Sequence, residues 1–194
     1  MTILPASFYR RPTLEVARDL LGKLFVRRLD GELLSGRIVE VEAYHQDGDE
    51  AAHSFRGRTP RNEVMFRAGG LLYVYFTYGM HFCLNVVTEG DGVGAAVLIR
   101  AVEPIDGIAV MRGNRPRARR DVDLANGPAK LCQAFAIDGE HNGLHLDGSV
   151  VGIADAPRLP ESAILVTTRV GISRGRELPW RFFIDGSRCV SEMR

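Results

Sequence analysis

The chain reads as an α+β fold: one domain spanning residues 1–194, with a curved antiparallel sheet and peripheral helices. Three features predict it. Apolar and β-branched runs recur at 24–29, 34–44, 71–78, 82–88, 95–103, 164–172 and 180–184, and they outnumber the helical stretches. Short turn sequences join several neighbouring runs, including Asp30-Gly31 and Glu89-Gly90-Asp91-Gly92. No glycine-rich phosphate loop stands between a strand and a helix, so a doubly wound nucleotide-binding fold is not indicated.

Taken in order, residues 13–21 space Leu14, Ala17 and Leu21 at helical intervals, with Thr13 as cap and Gly22 at the end. A strand at 24–29 turns at Asp30-Gly31 into a long second strand over 34–44. Residues 45–70 are polar and rich in Gly and Arg, which predicts an ordered loop with short helical turns. The aromatic run 71–78 and the run 82–88 form a hairpin across YGMH, and 95–103 is a further strand. Residues 105–112 and 128–137 read as helices around an Arg-rich loop; 164–172 and 180–184 close the sheet.

A length of 194 residues, 45% of them hydrophobic and 25% charged, suits a soluble globular chain with a real core. No apolar run approaches the roughly 18 residues of a membrane helix, and no secretory signal is evident, so a cytoplasmic protein without membrane contact is expected. Cys83, Cys132 and Cys189 are odd in number and lack CxxC spacing, and they read as reduced thiols. The net charge of +1 hides a segregated pattern. Residues 110–130 hold six basic against two acidic side chains, and 55–67 hold four against one. Acid collects at 29–50, where seven carboxylates face Arg37 alone. All basic residues except Lys23 and Lys130 are arginines, whose planar fork suits phosphate. The pattern permits a basic binding face and equally fits solvated loops.

Several side chains stand out. Alternation puts Ile38, Glu40, Glu42 and Tyr44 on one side of their strand. Two carboxylates there either face solvent at an edge or, if buried, need partners. Tyr73 and Tyr75 share a face of the aromatic strand, and Tyr78 falls at its turn beside Gly79 and Met80. Asn85 is a neutral amide on the partner strand. Leu98 and Arg100 point the same way, and Arg100 is a lone charge in an apolar run, with Glu42 as its natural partner. Such a pair is either purely structural or holds a water between its members, with Glu42 as base. His53 is a lone histidine. No His/Cys/Asp/Glu spacing fits a metal and no GxSxG elbow occurs, so no cofactor is expected.

Longer blocks carry a resemblance: RIVEVEAY at 37–44, DEAAHS at 49–54, TPRNEVMF at 59–66, LYVYFTYGMHFCLNVV at 72–87, VLIRAVEP at 97–104, NGPAKLCQAFAI at 126–137 and RVGI at 169–172. Together the chain resembles the alkyladenine (3-methylpurine) DNA glycosylases over nearly its whole length. The resemblance implies a monomeric, cofactor-free enzyme that flips alkylated or deaminated purines out of double-stranded DNA and hydrolyses the glycosidic bond. It implies Glu42 as general base and Arg100 as the residue that helps to hold the water. Tyr44, His53 and Tyr75 would contact the flipped base, with Leu98 and Asn85 completing the pocket and Asn85 disfavouring guanine. Tyr78, with Gly79 and Met80, would wedge into the duplex; Met65 and Lys130 would lie against DNA. The chain departs at His81 and in the 112–123 loop. A nucleosidase acting on free nucleosides and a non-catalytic lesion-binding protein are the competing readings.

Overall fold

The computed structural model describes residues 1–191. Eight strands form one sheet in which every pairing is antiparallel. They are β1 (Leu24–Leu29), β2 (Glu32–His45), β3 (Leu72–Thr77), β4 (His81–Val87), β5 (Ala95–Asp106), β6 (Val151–Ala154), β7 (Ile164–Thr167) and β8 (Arg181–Ile184). The order is β3-β4-β5-β2-β1-β6, with β8 bridging β2 and β7. Helices α1 (Ala6–Tyr9), α2 (Thr13–Leu20), α3 (Ile108–Asn114) and α4 (Pro128–Ala134) complete the α+β fold. No helix among the described residues is long and apolar enough to cross a membrane.

The helices cover one face of the sheet. Val16, Ala17 and Leu20 of α2, Leu131 and Ala134 of α4, and Phe135 just after it pack with Val41, Ala43, Leu84, Val86, Val97 and Ile99 in the main core. Side chains on the intervening positions of the same strands point to the other face, where loops replace helices as the cover. Glu42, Tyr73, Tyr75, Asn85, Leu98 and Arg100 all occupy that second face. Asp30 and Gly31 both take positive φ at the β1–β2 turn, as a two-residue hairpin of matching twist requires.

Strict alternation fails midway along β2. Ile38 pairs with Val102 and Val41 with Ile99, and the register slips between them. Ile38, Val41, Ile99 and Val102 all enter the main core, while Val39 and Ala101 join a separate cluster with Cys189. Ile38 therefore does not share a side with Glu40, Glu42 and Tyr44, as simple alternation predicts; the irregularity turns it into the core. Such an irregularity also bends a strand.

Other expectations need adjustment. Thr13 does not cap α2: its hydroxyl and amide both bond Glu89 Oε1. Within α2 the buried stripe is Val16, Ala17 and Leu20, and Leu14 is exposed. The strand expected over 164–172 ends at Thr167, because β8 offers partners only as far as Arg181. The helix expected at 105–112 begins at Ile108, since β5 runs on to Asp106. The helix expected over 128–137 ends at Ala134. The strand β6 has no counterpart among the expected elements. Its glycine-interrupted VGIA run is too short to show a period.

Candidate active site

The second face of the sheet holds a pocket of about 190 Å³. Tyr73 and Tyr75 reach it from β3, Asn85 from β4 and Tyr44 from the end of β2. His53, Arg61 and Met65 come from the 45–70 loop, and Gly171 and Ile172 from the loop after β7. Three aromatic rings cluster at its side. His53 meets Tyr75 edge-on at 4.5 Å between centroids, and Tyr73 lies 5.6 Å from Tyr75. The volume is below the roughly 300–1,000 Å³ of clefts that take drug-sized molecules. It suits one small planar ring system.

His53 presents its ring to solvent at the mouth, yet Tyr73, Tyr75 and Arg61 crowd it. Its Nδ1 is 3.0 Å from the Tyr73 hydroxyl. Partial burial, and then the charge of Arg61, lower its pKa from the usual 6.5. Burial pushes Tyr73 up to about 12 and Tyr75 higher still, so both phenols stay protonated at neutral pH. The sign for His53 is fixed by its direction. A histidine with lowered folded-state pKa binds fewer protons than in the unfolded chain, so stability falls as pH drops through 6.5 towards the folded value. An NMR titration of His53 is expected to give a midpoint below 6.5, and Arg61→Ala is expected to raise it. A midpoint unmoved by that substitution would remove Arg61 as a cause.

Glu42 lies behind the Tyr44 wall and is fully buried. Its Oε2 accepts hydrogen bonds from the Tyr44 hydroxyl at 2.8 Å and from Arg100 Nη1 at 3.1 Å. Its Oε1 accepts the amide of Val170 at 2.8 Å. An ionised carboxylate offers about four lone-pair positions, so these three leave about one, on Oε1. Arg100 answers two carboxylates, for its Nε also bonds Glu40 Oε1 at 2.8 Å. Burial pulls the Arg100 pKa down, but Glu42 and Glu40 more than offset this and hold it above its ordinary value. Because Arg100 and Glu42 touch directly, no gap between them holds a water; a water can bind only beside the pair.

Glu40 belongs to a different set of contacts. Arg100, Arg181 and the hydroxyl of Ser191 all bond its Oε1, and the Ser191 amide bonds Oε2. With both oxygens committed and no exposure, Glu40 anchors β5, β8 and the chain near residue 191. A second buried pair holds the loops. Arg169 grips Asp49 through two contacts of 2.6 Å and stacks over the Tyr44 ring at 4.6 Å. Tyr44 thus sits between a cation on its face and a carboxylate at its hydroxyl. Burial, and then Glu42, raise its pKa well above 10.

The hairpin tip between β3 and β4 projects beyond the mouth. Tyr78 is 81% exposed and Met80 70%, the two most exposed large hydrophobic side chains of the described residues. Tyr78 has φ of 51°, a conformation that costs a bulky residue energy, followed by Gly79 at 69°. Leu98 is buried between Glu42 and Asn85, its partners across the sheet, and borders the pocket without lining it. Asn85 is fixed by donating Nδ2 to the Tyr73 carbonyl at 3.1 Å.

Met65 and Lys130, both expected to lie against DNA, are each held by contacts within the chain. Met65 is 2% exposed, packs with Val64, Phe66, Leu71 and Tyr73, and lines the pocket. The 3-10 turn Glu63–Phe66 rotates it inward. Lys130 is half-buried on α4, on the helical side of the sheet, and its Nζ bonds Asn126 at 2.8 Å; it does not line the pocket. Sequence reading missed Asp49, Arg169 and the Val170 amide. Arg169 carried a signal, a lone charge in an apolar run, like Arg100. A backbone amide carries none. Arg61, already counted in a basic segment, gains its meaning only from its position at the mouth.

A small aromatic pocket, a buried carboxylate behind its wall and an exposed tyrosine at the hairpin tip thus gather at one end of the second face. The family model for methylpurine-DNA glycosylase matches residues 7–188. A Chlorobium phaeobacteroides protein is 48% identical over 195 residues, covering 100% of this chain and 99% of its own. A Carboxydothermus hydrogenoformans protein is 49% identical over 191 residues, covering 98% and 99%. One from Methanocella arvoryzae is 48% identical over 196 residues, covering 99% and 97%. All three carry the provisional name 3-methyladenine DNA glycosylase. The chain belongs to the methylpurine-DNA glycosylase family and is a DNA glycosylase.

Proposed function

We propose that this chain, acting as a monomer, flips alkylated purines out of duplex DNA and hydrolyses their N-glycosidic bond, leaving an intact abasic site. One observation carries the reading: Tyr44 both lines the aromatic pocket and donates its hydroxyl to the buried Glu42 carboxylate. The pocket for the base and the group for the water thus share a wall, and every part of both comes from one chain.

Extruding a base costs a few kcal/mol, and less for a damaged one. Stacking on the pocket rings returns roughly 1–3 kcal/mol per base. A purine alkylated at N3 or N7 is cationic, so the tyrosine faces attract it further. Water then bonds to C1′ through its oxygen while Glu42 takes the released proton. The electrons of the broken C1′–N bond pass to the base, and a cationic base leaves neutral without a general acid. Neutral lesions such as hypoxanthine and ethenoadenine lack that advantage: they must gain a proton from an acid in order to leave, and hydrogen bonds from His53 and backbone groups recognise them. Asn85 disfavours guanine through its exocyclic amine. Lys23 bonds Asp155 and Lys130 bonds Asn126, and neither lines the pocket, which supports hydrolysis over an amine-linked intermediate.

The test compares a duplex carrying one 3-methyladenine with the free nucleoside, scoring alkali-labile sites and released base. Turnover is expected on the duplex only. Equal or better turnover of the free nucleoside would make the protein a nucleosidase. Binding of lesion DNA without release would make it a recognition module. Tyr78→Ala is expected to weaken capture of the lesion in duplex DNA by an order of magnitude, with a smaller effect on an unpaired lesion; equal losses on both substrates would remove the wedge.

A further inference from the structure

A polar groove of about 660 Å³ adjoins the base pocket, and the two share Gly171 and Ile172 as a common wall. The groove is built by the 167–176 segment together with Arg181. No carboxylate lines it, whereas Thr167, Thr168 and Ser173 bring hydroxyls and three arginines bring cations. Two of those cations are answered within the protein, Arg169 by Asp49 and Arg181 by Glu40. Arg176 is not. It is exposed, its only bond being from Nε to the Ile172 carbonyl at 3.0 Å, and no carboxylate pairs with it among the described residues. The Val170 amide is committed to Glu42, but those of Gly171, Ile172 and Ser173 have no acceptor among the described residues. Arg169 Nε, also at the groove, is buried without a partner.

We propose that this groove binds the phosphodiester backbone next to the extruded nucleotide, with Arg176 as its principal cation and Ser173, Thr168 and the loop amides as neutral donors. The inference rests on the base-flipping reading above and adds to it the course of the strand. A nucleotide whose base fills the pocket must have its sugar and phosphates at the mouth. On the Gly171–Ile172 side the first surface they meet is this groove. An anion there also lies on the loop that sends the Val170 amide to Glu42, so seating the backbone would fix that loop as the base enters.

The test is made on Glu42→Gln protein, so that no excision complicates binding. Fluorescence anisotropy would measure its affinity for a lesion duplex and an undamaged duplex across a salt series. The same measurements follow with Arg176→Ala, Arg176→Lys or Ser173→Ala added. One lost phosphate contact flattens the slope of log K against log salt by about 0.9. Arg176→Ala is therefore expected to weaken both duplexes several-fold with that change in slope. Arg176→Lys is expected to restore the slope, and Ser173→Ala to weaken binding without altering it. Inorganic phosphate at millimolar concentration should not abolish the difference between variants; if it does, the groove is a site for free phosphate and not for the strand. An unchanged slope and affinity in Arg176→Ala would overturn the proposal. Should that occur while the wild-type protein still excises, only the groove assignment falls. Absence of excision by the wild type would instead remove the reading on which it rests.

Discussion

Glu42→Gln is expected to lower single-turnover excision by about 10²–10⁴-fold, the usual share of a general base, while lesion-duplex affinity stays within a few-fold of wild type. Glutamine preserves volume, and its one amide oxygen can keep either the bond from Val170 or those from Tyr44 and Arg100. It cannot take a proton from water. The buried setting makes the substitution informative, because Glu42 has no contact with solvent through which a bulk base could substitute. Arg100 retains Glu40 as a partner at 2.8 Å, so its charge is not stranded. A variant that loses affinity and stability in step with activity would show that Glu42 is structural and not the base. Wild-type turnover would exclude it altogether.

Asp49→Ala is expected to cost about 3–5 kcal/mol of stability, the penalty for leaving a buried charge without its counterion. The side chains of Arg169 and Asp49 are both fully buried, and Asp49 also accepts the amides of Ala51 and His45. For a chain of this size that corresponds to a Tm lower by roughly 6–20 °C. The effect should extend to activity. Arg169 stacks on Tyr44 and precedes Val170, so loosening it disturbs two of the three donors to Glu42. Thermal unfolding and excision are measured on the same preparation. A Tm shift of less than about 2 °C would mean that the pair is solvated and contributes little.

Much of this was legible because charge in an apolar strand is conspicuous. Glu42 and Arg100 stand out for that reason, and the structure places them in contact across β2 and β5. The hairpins were legible from their turn residues, and the tyrosine face of β3 from period-two spacing. What escaped has no side-chain signature. The irregularity opposite Ala101 is a property of paired backbones, so alternation misplaced Ile38. The Val170 amide reaches Glu42 from 128 residues away. The Asp49–Arg169 pair spans 120 residues, and neither member reveals the other. Met65 sits in a polar segment that reads as surface until the 3-10 turn buries it. In the 112–123 loop, Arg112 pairs with Asp121 and Arg120 with Asp123, so local acid answers part of the basic charge that the sequence leaves open.

The most direct measurement is a crystal structure of Glu42→Gln protein with a duplex carrying one alkylated purine. The expected result has the base seated between Tyr44 and the His53–Tyr75 edge and Tyr78 in the vacated stack. A water should lie within about 2.6–3.2 Å of residue 42, facing C1′. A base left stacked in the helix, or a C1′ turned away from residue 42 with Tyr44 intervening, would contradict the account at its centre.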